Sequence, residues 1–309
     1  MSSAPPIPKP ATRAGHSRMH LLMLLVTVCW ASNIIAGKEA LTGFGALALA
    51  QLRVLGAATI FVIGFLAGGR IRRLRLPRRI WLFLVAMAFN GIALNQLTFI
   101  GGMARSTVAH TGLIVALGPV MVLVIAVVVR LEALTAWKFA GMMIAFAGVG
   151  ILTADKVGQG SGGHWTGDLI LLLSTVVFAI FTVLMKEVAN SLDGLTLNTL
   201  IFTLGAVMML PFCAHAVVVT NWAALSLEAW WGLAFLVVFG SVVPYLLFAY
   251  VLTELPASRA AAFNYLQPLI AIALGIWVLS ERLTSKVLVG GALILAGLYL
   301  TERERGDEK

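Results

Sequence analysis

The side chains best equipped for chemistry in this chain sit where water is scarce. Arg53 stands inside the apolar run 44–68. Trp30, Asn33 and Gly37, spaced i, i+3 and i+7, share one face of the run that starts at residue 19. Asn90, Asn95 and Gln96 put three amides in the run 79–101, and Thr107, His110 and Thr111 lie on one face ahead of Gly118-Pro119. Pro244-Tyr245 and the group Asn264, Tyr265, Gln267 and Pro268 repeat the theme in the second half of the chain. In hydrocarbon an isolated polar side chain is costly, so those that persist face protein or water. A guanidinium matches a carboxylate bidentately, while amides, hydroxyls and rings complete a pocket for a small amphipathic molecule. The expected substrate-contacting set is therefore Trp30, Asn33, Arg53, Asn90, Asn95, Gln96, His110, Thr111, Tyr245, Asn264, Tyr265 and Gln267.

Each of these residues also has a plainer reading. Arg53 could be a structural arginine satisfied by backbone carbonyls or by Glu39. Trp30, Asn33 and Gly37 could serve helix packing, with the glycine permitting close approach. His110 could titrate near neutral pH, yet a lone histidine at this depth is more often a hydrogen-bonded cavity residue. Proline at 119 frees a carbonyl and permits a bend. The amides could form interhelical hydrogen bonds, worth about 0.6 kcal/mol each on average.

Other chemistries lack their parts. The 13 carboxylates all fall at helix ends or in loops, so no membrane-buried glutamate is available for proton-for-cation exchange. The five histidines are scattered over four regions, and Cys29 and Cys213 lie singly inside apolar runs; neither a disulfide nor a metal site is expected. No GxxxxGK[ST] motif offers a nucleotide cradle. No nucleophile with its base, carboxylate pair or ligand cluster suggests catalysis. The chain reads as a non-enzyme with no catalytic residue, cofactor or metal.

The elements that carry these residues follow from composition. Of 309 residues 60% are hydrophobic and 11% charged, against about 25% charged in an ordinary globular chain. Ten apolar runs recur at 19–38, 44–68, 79–101, 104–129, 134–153, 168–188, 196–219, 229–253, 257–279 and 284–302. Each suits a membrane-crossing helix, and without two-residue alternation a β-barrel is excluded. The fold class is all-α integral membrane protein with ten transmembrane helices, the first not a cleaved signal because no small-residue cleavage site follows it. The net charge of +9 is unevenly distributed. With both termini cytoplasmic, 16 Lys and Arg fall on the inner side and 5 on the outer, Arg53 completing the 22. The basic stretch 70–79 is thus a topology signal, with lipid-headgroup contact a secondary reading and nucleic acid not a partner.

The chain is also written twice. "LLVTVCWASNIIAGKE" (24–39) aligns without gaps on "LLSTVVFAIFTVLMKE" (172–187), sharing the Lys-Glu pair at an offset of 148. At an offset of 149, Pro119, Glu132, Leu134, Thr135, Gly141 and Gly148 meet Pro268, Glu281, Leu283, Thr284, Gly290 and Gly297. The organisation is a cytoplasmic tail (1–18), a five-helix repeat (19–153), a Gly/Ser linker (154–167), a second repeat (168–302) and a cytoplasmic tail (303–309). Five is odd, so the second repeat starts from the opposite side and the halves are inverted. That is an architecture of alternating-access carriers, with cargo near the midplane.

Together, the tryptophan-led start of helix 1, Arg53 in helix 2 and the paired "P…LEALT…G" and "P…SERLT…G" blocks resemble the drug/metabolite transporter superfamily, in particular its ten-helix exporters with two EamA domains. The resemblance spans about residues 19–302. It implies export of small metabolites, amino acids or related zwitterions foremost, across a bacterial inner membrane through a central cavity, with helices 5 and 10 outside it. The alternative within transport is a flippase or carrier for lipid-linked or sugar-phosphate molecules. The expected partners are a small-molecule substrate and the lipid bilayer, in a monomer or homodimer.

Overall fold

The structure, a computed structural model, describes residues 13–70, 76–158, 165–270 and 285–303. Both chain ends, residues 71–75 of the basic stretch, the middle of the linker and residues 271–284 lie outside the described residues, and with them Glu281, Leu283 and Thr284. Among the described residues the chain is helical and contains no strand.

The described residues form thirteen α-helices: α1 (Arg13–Ala40), α2 (Ala46–Ala67), α3 (Arg78–Met87), α4 (Asn95–Met103), α5 (Val108–Val115), α6 (Gly118–Val128), α7 (Ala136–Gly158), α8 (Trp165–Val188), α9 (Gly194–Val218), α10 (Leu227–Val237), α11 (Val243–Glu254), α12 (Ala257–Ala262) and α13 (Ser285–Arg303). In hydrocarbon a segment must satisfy its own backbone, which is why apolar runs of this length become helices. Among the described residues seven stretches are long and apolar enough to cross a membrane: Arg18–Ala40, Ala46–Ala67, Arg78–Met103, His110–Val128, Trp165–Val188, Gly194–Val218 and Leu227–Glu254. Ala136–Ile151 and Leu288–Thr301 are shorter apolar helices. The run 257–279 opens as α12 and a 3₁₀ turn, Phe263–Leu266. The helices also run further into the linker than expected, α7 to Gly158 and α8 from Trp165.

Two spans contain a π-helical segment that the sequence reading did not anticipate. The first, Ala88–Leu94, joins α3 to α4; the second, Val238–Val242, joins α10 to α11. They fall at matching positions of the two repeats. A third interruption separates α5 from α6, where Pro119 stands at the start of α6. Proline has no N–H for the Val115 carbonyl four residues back, which explains the break.

Helices of one half pack on those of the other: α1 on α10 and α11, α8 on α4 and the first π segment, α2 on α9, and α7 on α13. Glycines set the last of these contacts. A Cβ at Gly141 would meet the Gly297 carbonyl oxygen at 2.7 Å, and one at Gly148 would meet that of Gly290 at 2.7 Å. Residue number rises along α7 as it falls along α13, so the two helices are antiparallel. Both ends of the bundle are tied. At one end the Lys38 ammonium donates to the carbonyls of Met103 (2.5 Å) and Ser106 (2.6 Å). At the other the Lys186 ammonium donates to the Leu252 carbonyl at 2.7 Å. The shared Lys-Glu motif therefore supplies a cation for the last carbonyls of a neighbouring helix. Met103 and Leu252 are themselves 149 positions apart.

Candidate functional site

Where the two halves meet, α1, α2, α4, α5, α6, α8, α11 and α12 surround a cavity of about 90 Å³. Its aromatic wall is built around Trp30, whose ring lies 5.5 Å from Phe178, 6.1 Å from Tyr245 and 5.2 Å from Phe248, each edge-on. Phe178 occupies the position 148 residues after Trp30, so the same register of each repeat contributes one ring. Phe99 also lines the space. The polar wall comprises Asn33, Arg53, Asn95, Gln96, Ser174, Thr175, Thr182, Asn264 and Gln267. Among the described residues that line it, none is a carboxylate.

Arg53 is 2% exposed. Its Nε donates to the Ser241 hydroxyl at 2.9 Å and its Nη2 to the Gly240 carbonyl at 2.8 Å, both within the second π segment. Nη1 is buried and makes no hydrogen bond. Glu39, the alternative partner considered from sequence, is not among these contacts. Around the cavity the Asn33 Oδ1, Gln96 Oε1 and Asn264 Oδ1 atoms are likewise buried without a partner. Buried polar atoms are paired in the great majority of cases, so four unmet groups around one cavity are a concentration that calls for an occupant. Two of the amide nitrogens are fastened: Asn95 Nδ2 donates to the Ser174 hydroxyl (3.0 Å) and carbonyl (3.1 Å), and Gln96 Nε2 to the Tyr245 hydroxyl at 3.4 Å. Gln96 and Tyr245 are 149 positions apart, so this bond joins equivalent sites of the two repeats.

Of the twelve side chains expected from sequence, the structure brings Trp30, Asn33, Arg53, Asn95, Gln96, Tyr245, Asn264 and Gln267 onto the cavity and leaves Asn90, His110, Thr111 and Tyr265 off it. Asn90 donates to the Ala86 carbonyl of its own helix at 3.0 Å, and Thr111 to that of Thr107 at 2.7 Å. Tyr265 is fully buried in the core. His110 faces the Lys38 end of the bundle, where its Nδ1 lies 2.7 Å from Asp168 Oδ2 while the Ser106 hydroxyl donates to Asp168 Oδ1 at 2.5 Å. The opposite end has a comparable tie. Glu132 accepts from the Ser258 N–H at 3.0 Å and from the Ser258 hydroxyl, with Lys138 at 3.7 Å. In each tie a carboxylate of one half holds the start of a helix of the other, and the space between is small. Sites for drug-sized ligands commonly measure about 300–1,000 Å³, so this conformation is constricted around its centre.

Ser174, Thr175, Phe178 and Thr182 were missed from sequence. Their signal was present: 174, 178 and 182 fall on one helical face, and the register of the repeat pairs Phe178 with Trp30. Among the described residues no cluster of His, Cys, Asp and Glu could hold a metal ion.

The comparisons with known proteins agree with this picture. The profile of the EamA-like transporter family matches twice, over residues 17–154 and 165–303. An uncharacterized transporter of Archaeoglobus fulgidus is 26% identical over 285 residues, covering 92% of this chain and 99% of its own. The uncharacterized transporter YvbV of Bacillus subtilis is 29% identical over 297 residues, covering 95% and 94%. A protein of Streptantibioticus cattleyicolor named "Probable terminal-alkyne amino-acid exporter" is 25% identical over 283 residues, covering 91% and 92%. A protein of known crystal structure superposes with a TM-score of 0.74 at 14% identity, over 93% of this chain and 97% of its own, a likeness of fold alone.

Proposed function

The chain belongs to the EamA-like transporter family, and from that premise we propose that it is an alternating-access exporter of small zwitterionic metabolites, amino acids foremost, in a bacterial inner membrane. One observation carries the substrate class. Among the described residues the cavity offers one guanidinium nitrogen and three amide oxygens without partners, and no carboxylate. A carboxylate suits the first and an ammonium the second. The aromatic wall would take an apolar side group. The exporter of Streptantibioticus cattleyicolor, whose printed name gives an amino-acid cargo, supports the same reading. A lipid-linked or sugar-phosphate cargo is less well served by a cavity of about 90 Å³ with a single cation among the described residues of its lining.

The proposed architecture is ten membrane-spanning helices in two inverted repeats, with both termini cytoplasmic. The antiparallel crossing of α7 and α13 supports inversion. A two-fold axis in the membrane plane that carries Gly141 onto Gly290 and Gly297 onto Gly148 turns one glycine contact into the other. An axis along the membrane normal would leave equivalent helices parallel. The 16-to-5 distribution of Lys and Arg supports the orientation.

Reconstituted protein offered a panel of labelled L-amino acids, with and without an imposed pH gradient, tests both cargo and coupling. Uptake of at least one amino acid, competed by others but not by neutral amides, is the expected result. Uptake of sugar phosphates with none of the amino acids would replace this reading with the alternative.

A further inference from the structure

Arg53 is held by the second π segment, which belongs to the other half of the chain. Resting on the reading above, we infer that Ser241 and Gly240 are positioning residues that set which edge of the guanidinium meets the cargo, and thereby its selectivity for a carboxylate. The Nε and Nη2 groups share one edge of the guanidinium. That edge is occupied, Nε by the Ser241 hydroxyl at 2.9 Å and Nη2 by the Gly240 carbonyl at 2.8 Å. The edge formed by Nη1 and the second Nη2 hydrogen is left over, and Nη1 is the nitrogen without a partner. Two parallel N–H groups on that edge suit the two oxygens of a carboxylate.

Local sequence explains why a carbonyl is available here. In a regular helix the Gly240 carbonyl would accept from the N–H of residue 244. That residue is proline, which has no N–H and whose ring crowds the carbonyl four residues back. The π segment Val238–Val242 ends two residues before it. π-Bulges inside helices are frequent at functional sites, and in this one the Gly240 carbonyl, deprived of its usual donor four residues on, accepts from a side chain of α2. Glycine at 240 is required for a second reason. A Cβ there would lie 3.1 Å from Arg53 Nη2 and collide with Asn33 Oδ1. Both polar groups close on the same backbone position because nothing projects from it.

Ser241 is fully buried and is not among the cavity-lining residues, so it acts on cargo only through Arg53. Without its hydroxyl the guanidinium keeps its charge and its site but loses one of two fixings. A purely structural serine would affect folding and leave selectivity alone; a positioning serine would change selectivity in a folded protein.

The experiment uses the full chain in proteoliposomes. The probe is whichever of glycine, L-alanine, L-leucine and L-phenylalanine gives the largest uptake, competed by its own carboxamide. Ser241→Ala is expected to raise KM for the acid about 10-fold, equivalent to about 1.4 kcal/mol. It should also shift the acid-to-amide selectivity toward that of Arg53→Gln, with the melting temperature of wild type. Should Ser241→Ala fail to fold, Ser241→Cys, nearly the same shape with a poorer acceptor, must show the same direction. Wild-type KM and selectivity in the folded serine variant, alongside a defective Arg53→Gln, overturns the positioning role and leaves the functional reading standing. An unaffected Arg53→Gln likewise overturns the positioning role while amino-acid transport stands; if wild type transports none of the four acids, both fall.

Discussion

Replacing Gly141 by alanine tests the helix pairing through the sign of its effect. In an ordinary helix Gly→Ala is favourable by about 0.8–1 kcal/mol. At Gly141 the new methyl would lie 2.6 Å from Thr301 Oγ1, 2.7 Å from the Gly297 carbonyl oxygen and 2.9 Å from the Thr301 nitrogen. Two of these are backbone atoms, and the threonine hydroxyl is itself bonded to the Gly297 carbonyl at 2.9 Å, so no flexible tip can swing aside. Relief requires α13 to recede from α7 by roughly 0.8 Å, given contact distances of about 3.5–4.0 Å between carbon atoms. A gap of about 0.5–1 Å forfeits a quarter to a half of each dispersion contact it opens, and overpacking of this kind commonly costs about 1–3 kcal/mol. Set against the helix preference, the net expectation is a loss of up to about 2 kcal/mol. Gly150 is the internal control, on the same helix with nothing within 4 Å of an added Cβ. Gly150→Ala should stabilise by up to about 1 kcal/mol. Unfolding of the detergent-purified variants in an SDS titration gives both values, and transport KM should change in neither. Equal stabilisation at the two positions would refute the close crossing of α7 and α13, and with it the glycine contacts that support inversion.

Lys38→Met and Lys186→Met should each destabilise by about 1.5–3 kcal/mol, the usual range for hydrogen bonds to charged groups. Lys38 should show the larger drop in thermal unfolding because it holds two carbonyls against one; no change in either variant would refute the capping role of the shared Lys-Glu motif. At Asp193 burial pushes the carboxyl pKa up, but its bonds to Thr196 and the Arg70 guanidinium outweigh this and leave it below the usual range. A folded-state pKa below the unfolded one stabilises above about pH 3.9 and loses that contribution as pH falls through the folded value. Asp193→Asn should therefore lower the melting temperature near neutrality and flatten its acid limb below about pH 4, and a variant with an unchanged acid limb would contradict the assignment. Arg53→Lys keeps the charge but loses the planar fork, so KM for carboxylate cargo should rise, and rise further in Arg53→Gln; unchanged transport by both folded variants would make Arg53 incidental.

What the sequence made legible follows physical rules that can be named residue by residue. Arg53 was conspicuous because a fixed cation nine residues into an apolar run needs a partner, and Trp30 and Asn33 because their spacing puts them on one face. Thr111 and Asn90 were read the same way and end on their own helix, because a hydroxyl or amide can satisfy itself on the carbonyl four residues back. Polarity in an apolar helix therefore identifies a group that needs a partner without saying whether that partner lies along the helix or across it. His110 illustrates the other limit. Its partner Asp168 begins a helix 58 residues later, a juxtaposition made only by the packing of α5 on α8. The π segments were hidden because one carbonyl shift per turn leaves no compositional mark, although Gly91 and Gly240, one in each segment, stand at the repeat offset of 149.

Those two glycines also explain how a duplicated chain comes to have a one-sided site. Gly240 is the slot into which Asn33 fits, and Gly91 the slot into which the ring of Phe181 fits. Asn33 and Phe181 are 148 positions apart, so the two repeats use the same packing contact with an amide on one side and a ring on the other. Arg53 has the same relation to Phe202, 149 positions on; Gly56 and Gly205 confirm the register in the same pair of helices. Phe181 and Phe202 are fully buried and form edge or tilted contacts with Tyr245 at 5.9 and 4.9 Å. They fill the place where a symmetric chain would carry a second amide and a second guanidinium. Two guanidiniums facing one small space would repel, and each would need its own anion to offset the desolvation of burial. Among the described residues the cavity is thus left with a single cation on its lining, and the equivalent place in the other repeat with packed rings. Duplication thus accounts for the shape of the cavity, and the substitutions between the repeats account for its chemistry.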